Sequence, residues 1–84
     1  MAEVRLTAEA AKQFDDLPRT IQSRMTKLLQ RLRKWPTVSG AKPLRGDLTG
    51  RFRLRTGDYR LQFYLQGETV MVEKIGHRDG FYED

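Results

Sequence analysis

The sequence predicts an α+β domain: a short N-terminal strand, a two-helix hairpin, then an antiparallel three-stranded meander, with the helices packed on one face of the sheet. Three observations lead there. Apolar residues recur at helical spacing between Ala8 and Leu32. From Arg51 onward the spacing changes to a period of two. Two glycine-bearing turns, Thr56-Gly57-Asp58 and Gln66-Gly67-Glu68, cut that second half into hairpin-sized pieces.

Each element has a local reason. Glu3-Val4-Arg5-Leu6 alternates and reads as a short strand, after which Thr7 is placed to cap a helix. Ala8, Ala11, Phe14 and Leu17 supply the apolar side of that first helix. Pro18 suits the first turn of the second helix, where its missing N–H costs nothing. Ile21, Met25, Leu28, Leu29 and Leu32 then form one apolar stripe, and Trp35-Pro36 ends the helix because the residue before a proline resists the α conformation. Residues 36–50 read as loop, with Lys42-Pro43-Leu44 extended. In Arg51–Arg55, Phe52 and Leu54 face the core. In Tyr59–Leu65, Leu61, Phe63 and Leu65 face one way, and Arg60, Gln62 and Tyr64 the other. Thr69–Ile75 is the last strand; Gly76 is expected to break it, leaving a polar and aromatic tail through Tyr82.

Residues 1–84 form a single domain, and a chain this size buries only about 60% of its unfolded surface. It has no cysteine, which removes disulfide and thiolate chemistry. No apolar run approaches the ~18 residues of a membrane span and the N-terminus reads as carrying no signal peptide, so the expected location is cytoplasmic, with no membrane partner. One histidine and scattered carboxylates fall short of a metal-ligand set, and no glycine-rich phosphate loop or nucleophile elbow is present; no metal and no cofactor are expected.

What remains is charge. The net charge is +5 and the pI about 10.0, a balance that favours nucleic acid or an acidic protein as partner. Arg51, Arg53 and Arg55 share one strand face, about 7 Å apart, and repel one another unless an anion is near. Guanidinium forks suit phosphate oxygens, and an aromatic ring at the rim suits a base; together these are the chemistry of single-stranded nucleic acid. Such a face also stabilises the charge that gathers on phosphorus when a 2′-hydroxyl attacks in line.

The pieces Pro43-Leu44-Arg45-Gly46, Arg51-Phe52-Arg53-Leu54-Arg55, Gly57-Asp58-Tyr59-Arg60-Leu61 and Ile75-Gly76-His77-Arg78, with Tyr82 shortly after, resemble the RelE/ParE superfamily, the toxin half of bacterial type II toxin–antitoxin pairs. The resemblance spans nearly the whole chain. On the RelE side it implies a metal-independent endoribonuclease that cleaves mRNA in the ribosomal A site by 2′-OH attack. By that resemblance Arg51 and Arg60 hold the scissile phosphate, with Arg53 beside them. Arg78 stabilises or protonates the leaving 5′ oxygen, and Tyr82 stacks on a base and orients the attacking sugar. The implied partners are a cognate acidic antitoxin, mRNA on the 70S ribosome with rRNA contacts, and operator DNA only through the antitoxin.

Two alternatives stay open: a ParE-like toxin that inhibits DNA gyrase and cleaves nothing, and a weakly active member that serves mainly in antitoxin-dependent autoregulation. Where the well-known ribonucleases carry a lysine that serves as base, this chain has Arg53, which does not lose its proton. His77 is a candidate acid or base in its place. Arg45, Arg55, Lys27 and Arg31 are further candidate RNA contacts. Against these stand plainer readings: Arg55 pairing with Asp58 or Asp47, Tyr59 and Tyr64 as packing residues, and Lys27 and Arg31 as a solvated helix face.

Overall fold

The computed structural model describes residues 2–81. Its elements are β1 (Glu3–Leu6), α1 (Ala8–Asp15), α2 (Arg19–Leu32), β2 (Lys42–Pro43), a 3-10 turn (Gly46–Leu48), β3 (Arg51–Thr56), β4 (Tyr59–Gln66) and β5 (Thr69–His77). The strands form one sheet in the order β1-β5-β4-β3-β2. The predicted meander is its antiparallel centre, and the sheet is wider than that. β1 joins in parallel beside β5, Val4 opposite Val70, and β2 adds at the other edge with Lys42 opposite Arg53. Neither is long enough to stand alone, and Pro43 is tolerated because an edge strand need not donate on its outer side.

Thr7 caps α1 as expected, its hydroxyl accepting the Ala10 N–H at 3.1 Å. Pro18 sits one position before α2 rather than inside its first turn, and its carbonyl accepts the N–H groups of Ile21 and Gln22. Met25, Leu28 and Leu32 are buried from α2 against Leu54, Leu61, Phe63, Val70, Val72 and Ile75 of the sheet. Beyond the end of α2, Trp35 closes this core by meeting Phe52 and Phe63 edge-on at 5.0 and 5.3 Å, while those two rings stack at 5.4 Å. Leu65 keeps the core side of the sheet, opposite the buried Val70, but is not covered there. It is exposed, and lines a shallow cleft with Ala2, Trp35 and Pro36.

The main departures lie in β5. The strand does not break at Gly76 but runs through it to His77, with Gly76 opposite Arg60. The chain then turns, and Phe81 folds back over Gly76, where a Cβ would lie 3.5 Å from its ring. Upstream, Phe63 faces Val72 but Gln62 faces Lys74, so Glu73 is an extra residue, a β-bulge. Because β1 ends at Leu6, α1 takes over the edge of β5 at this point. The Thr7 N–H donates to the Val72 carbonyl at 2.9 Å, its hydroxyl to the Glu73 carbonyl at 3.5 Å, and the Gln13 side chain accepts the Ile75 N–H at 2.8 Å.

Candidate functional site

The helices cover one face of the sheet, so strand alternation sends the arginines to the other. Cross-strand pairing arranges that open face in ranks. One rank is Arg51 and Tyr64, with Met71 on β5. The next is Lys42, Arg53, Gln62 and Lys74. The third is Arg55, Arg60 and Gly76. Two of these pairings, Lys42 with Arg53 and Arg55 with Arg60, set like charges directly across from one another, which is unfavourable without an anion between them. Glu73, the unpaired residue of the bulge, is the one carboxylate in strands β2 to β5 and lies on this face.

Arg51 is held on two sides. Its Nε donates to Glu73 Oε2 at 2.8 Å, and its guanidinium carbon lies 5.4 Å from the Tyr64 ring centroid. Tyr64 is thus a packing residue, beneath an arginine. Gln62 Nε2 donates to the same Glu73 oxygen at 2.9 Å. That bond fixes the amide's orientation and leaves Gln62 Oε1 buried without a donor. Arg60 is 8% exposed, and its Nε is buried without an acceptor. A donor and an acceptor on neighbouring positions of one strand are therefore both unsatisfied on this face, and such groups call for an explanation.

Arg55 does not make the expected ion pair with Asp58 or Asp47. Its place across from Arg60 holds it on the open face. Asp58 turns to the strand ends, where its carbonyl accepts the Arg78 N–H at 2.7 Å and its carboxylate lies 3.8 Å from Arg78 Nε. Arg78, 60% exposed, thus stands at the same end of the sheet as Arg55 and Arg60. Arg24 arrives at this turn from α2, its Nη1 3.6 Å from where a Gly57 Cβ would sit; Gly57 has φ +60, a conformation that suits glycine.

Arg51, Arg53, Arg55 and Arg60 therefore share one surface, with Arg78 at its end. His77 does not join them. It pairs with Tyr59 on the helix side of the sheet, the rings meeting edge-on at 5.0 Å, and its Nδ1 accepts the Asp79 N–H at 3.0 Å. Lys27 and Arg31 lie exposed on α2, in the opposite layer, and Arg31 donates to the Ser39 carbonyl, bracing the loop after the helix. Arg45 is exposed just before the 3-10 turn. Tyr82 lies outside the described residues. Gln62 follows from alternation with Arg60, whereas the presence of both Glu73 and Lys74 on this face depends on the bulge, which alternation alone does not reveal. Lys74 donates to the Phe81 carbonyl and lies 4.8 Å from its ring centroid, anchoring the returning tail over this face. Among the described residues no three His, Asp or Glu side chains gather where they could hold a metal ion, and no helix is long and apolar enough to cross a membrane.

Known proteins resemble this chain in sequence and fold. The family described as the ParE toxin of the type II toxin–antitoxin system parDE matches residues 4–80. Toxin RelG of Mycobacterium tuberculosis is 34% identical over 82 residues, spanning 94% of this chain and 93% of that one. The crystal structure of the toxin–antitoxin complex RelBE2 from the same organism contains a chain that is 31% identical and superposes with a TM-score of 0.81, over 92% of this chain and 98% of that chain. The isolated RelE toxin of Escherichia coli shares the fold at 22% identity, with a TM-score of 0.77, over 92% of this chain and 84% of that one. With its fold and its sequence both matching, the chain belongs to the RelE/ParE superfamily of toxins of type II toxin–antitoxin systems.

Proposed function

We propose that this toxin is a ribosome-dependent, metal-independent endoribonuclease that cleaves mRNA in the A site, and that a cognate acidic antitoxin restrains it. The observation that carries the reading is Arg60: 8% exposed, its Nε unpaired, another arginine across from it, and no carboxylate of the described residues in an ion pair with it. A buried guanidinium without a counter-ion is costly to the fold, and an incoming phosphodiester supplies the missing anion. Arg53 and Arg60 then grip the non-bridging oxygens, and Arg51, pinned through Nε, presents a fixed fork. As the 2′ oxygen attacks, charge grows on the phosphoryl oxygens, and donors already in place stabilise it more than the ground state. Arg78, beside Asp58 and Asp79 at the end of the face, is assigned the charge on the leaving 5′ oxygen. The family resemblance gives Tyr82 the stacking role.

The antitoxin follows from the +5 charge and from kinship with toxins solved together with an antitoxin, RelBE2 of M. tuberculosis and RelB–RelE of Methanococcus jannaschii. An acidic, partly disordered chain that folds as it binds would cover the Arg51/Arg60/Arg78 region. Operator DNA is reached only through that antitoxin.

The matching family's description names the ParE branch, so gyrase inhibition without cleavage is the second reading. One pair of assays separates them. Purified toxin is added to ribosomes programmed with mRNA, with cuts mapped by primer extension, and in parallel to a gyrase supercoiling reaction. The expected result is A-site cleavage with unaffected gyrase, reduced about 10²–10³-fold by Arg60→Ala or Arg78→Ala. Intact mRNA together with blocked supercoiling would replace the ribonuclease reading by the gyrase one.

A further inference from the structure

We propose that Glu73 is the general base that accepts the proton of the attacking 2′-hydroxyl; this rests on the endoribonuclease reading. In-line attack needs a group that takes that proton, and the open face offers few. Arg51, Arg53, Arg55 and Arg60 stay protonated in any protein. His77 lies on the helix side of the sheet, its Nδ1 already accepting from Asp79. Lys74 is engaged with the carbonyl and ring of Phe81. Glu73 is the one carboxylate in strands β2 to β5, and at the bulge it stands on this face next to Lys74, while Ile75 returns to the core. Bulges re-aim side chains beside active sites.

The surroundings fit the role. Glu73 is 20% exposed, shielded yet reachable. Arg51 Nε and Gln62 Nε2 both bond to Oε2, which fixes the carboxylate plane and leaves Oε1 outside these two bonds. Gln62 Oε1, buried and lacking a donor, adds a second acceptor close by. A sugar hydroxyl is a donor that suits the Glu73 Oε1. The charged groups that share the face with Glu73 are Lys42 of β2, Arg51, Arg53 and Arg55 of β3, Arg60 of β4 and Lys74 of β5. The helices pack on the other side, and α1 meets Glu73 only at its backbone carbonyl, through the Thr7 hydroxyl.

The step balances without a co-reactant. The 2′ O–H proton passes to Glu73 as the O2′–P bond forms; the P–O5′ bond breaks, and the 5′ oxygen takes a proton from water, which Glu73 restores on releasing its own. The products are a 2′,3′-cyclic phosphate and a 5′-hydroxyl.

The test compares wild type, Glu73→Gln and Glu73→Asp on programmed ribosomes under single turnover. In parallel it measures affinity for ribosomes carrying mRNA with a 2′-deoxy sugar at the cut site, which binds but cannot react. A general base contributes about 10²–10⁴-fold. Glu73→Gln should therefore lose at least about a hundredfold in rate with affinity for the deoxy complex unchanged, and Glu73→Asp should retain more activity than Gln. If wild type cleaves and Glu73→Gln cleaves within about threefold of it, the assignment to Glu73 is wrong while the ribonuclease reading stands. If Glu73→Gln and Glu73→Asp lose rate and deoxy-complex affinity together, Glu73 merely positions Arg51 and is not the base. If wild type does not cleave, both readings fall.

Discussion

Arg60→Met should make this protein more stable while abolishing its affinity for phosphate. Arg60 is 8% exposed, its Nε lacks a partner, and Arg55 is its cross-strand neighbour. An unsatisfied buried polar group costs about 1–3 kcal/mol, and a like-charge pair directly across two strands costs about 0.2–1 kcal/mol. Methionine keeps the length and the apolar stem of arginine, so packing is largely preserved. The expected gain is roughly 1–4 kcal/mol, and for a domain this size each kcal/mol raises Tm by about 4–8 °C. Urea and thermal unfolding measure it, in low-salt buffer free of phosphate and sulfate. Adding pyrophosphate should then invert the order. A ligand at a hundredfold excess over its Kd stabilises wild type by about 2.7 kcal/mol and should do little for the variant. If Arg60→Met proves less stable than wild type by about 1 kcal/mol or more without ligand, Arg60 supports the fold, and the argument that it is held for an anion fails.

Arg53→Ala should make the log–log salt dependence of single-stranded RNA binding shallower by about 0.7, one phosphate contact; titrations at several salt concentrations check it. Phe63→Ala removes a fully buried ring that contacts both Phe52 and Trp35, with an expected loss of about 3–5 kcal/mol seen by circular dichroism as a collapse of the cooperative melt. Thr7→Ala deletes the cap of α1 and the bond to the Glu73 carbonyl. It should cost about 0.5–2 kcal/mol, with Thr7→Ser losing less, both read from urea midpoints.

Much of this fold was legible because its signals are local. Thr7, the Met25–Leu32 stripe and the two glycine turns each act through neighbours a few residues away. The parallel pairing of β1 with β5 was not, since nothing within Glu3–Leu6 says which strand it will meet. Alternation placed the arginines on one face, yet it also led to Gly76 as a strand end, because glycine's weak strand propensity does not register that Phe81 returns to pack over it. The bulge left a trace: Val70 and Val72 keep a period of two, but the next core residue is Ile75, three positions on. That one-residue slip was the available pointer to Glu73. The pairing of Asp58 with Arg78 rather than Arg55 depends on how the chain turns after β5, which residue order alone does not reveal.

The union of the first and last strands has a consequence for when the molecule becomes competent. Glu3 lies opposite Thr69, so the N-terminal strand has no partner until β5 has been synthesised. Until then Val4 and Leu6 lack Val70 and Val72 beside them, and β4 presents an unpaired edge. Long-range closure of this kind comes late in folding. A nascent chain still short of β5 has neither a finished core nor Glu73, Arg78 and the returning tail. The topology thus defers the site: the cationic face is completed only once β5 has joined both β4 and β1.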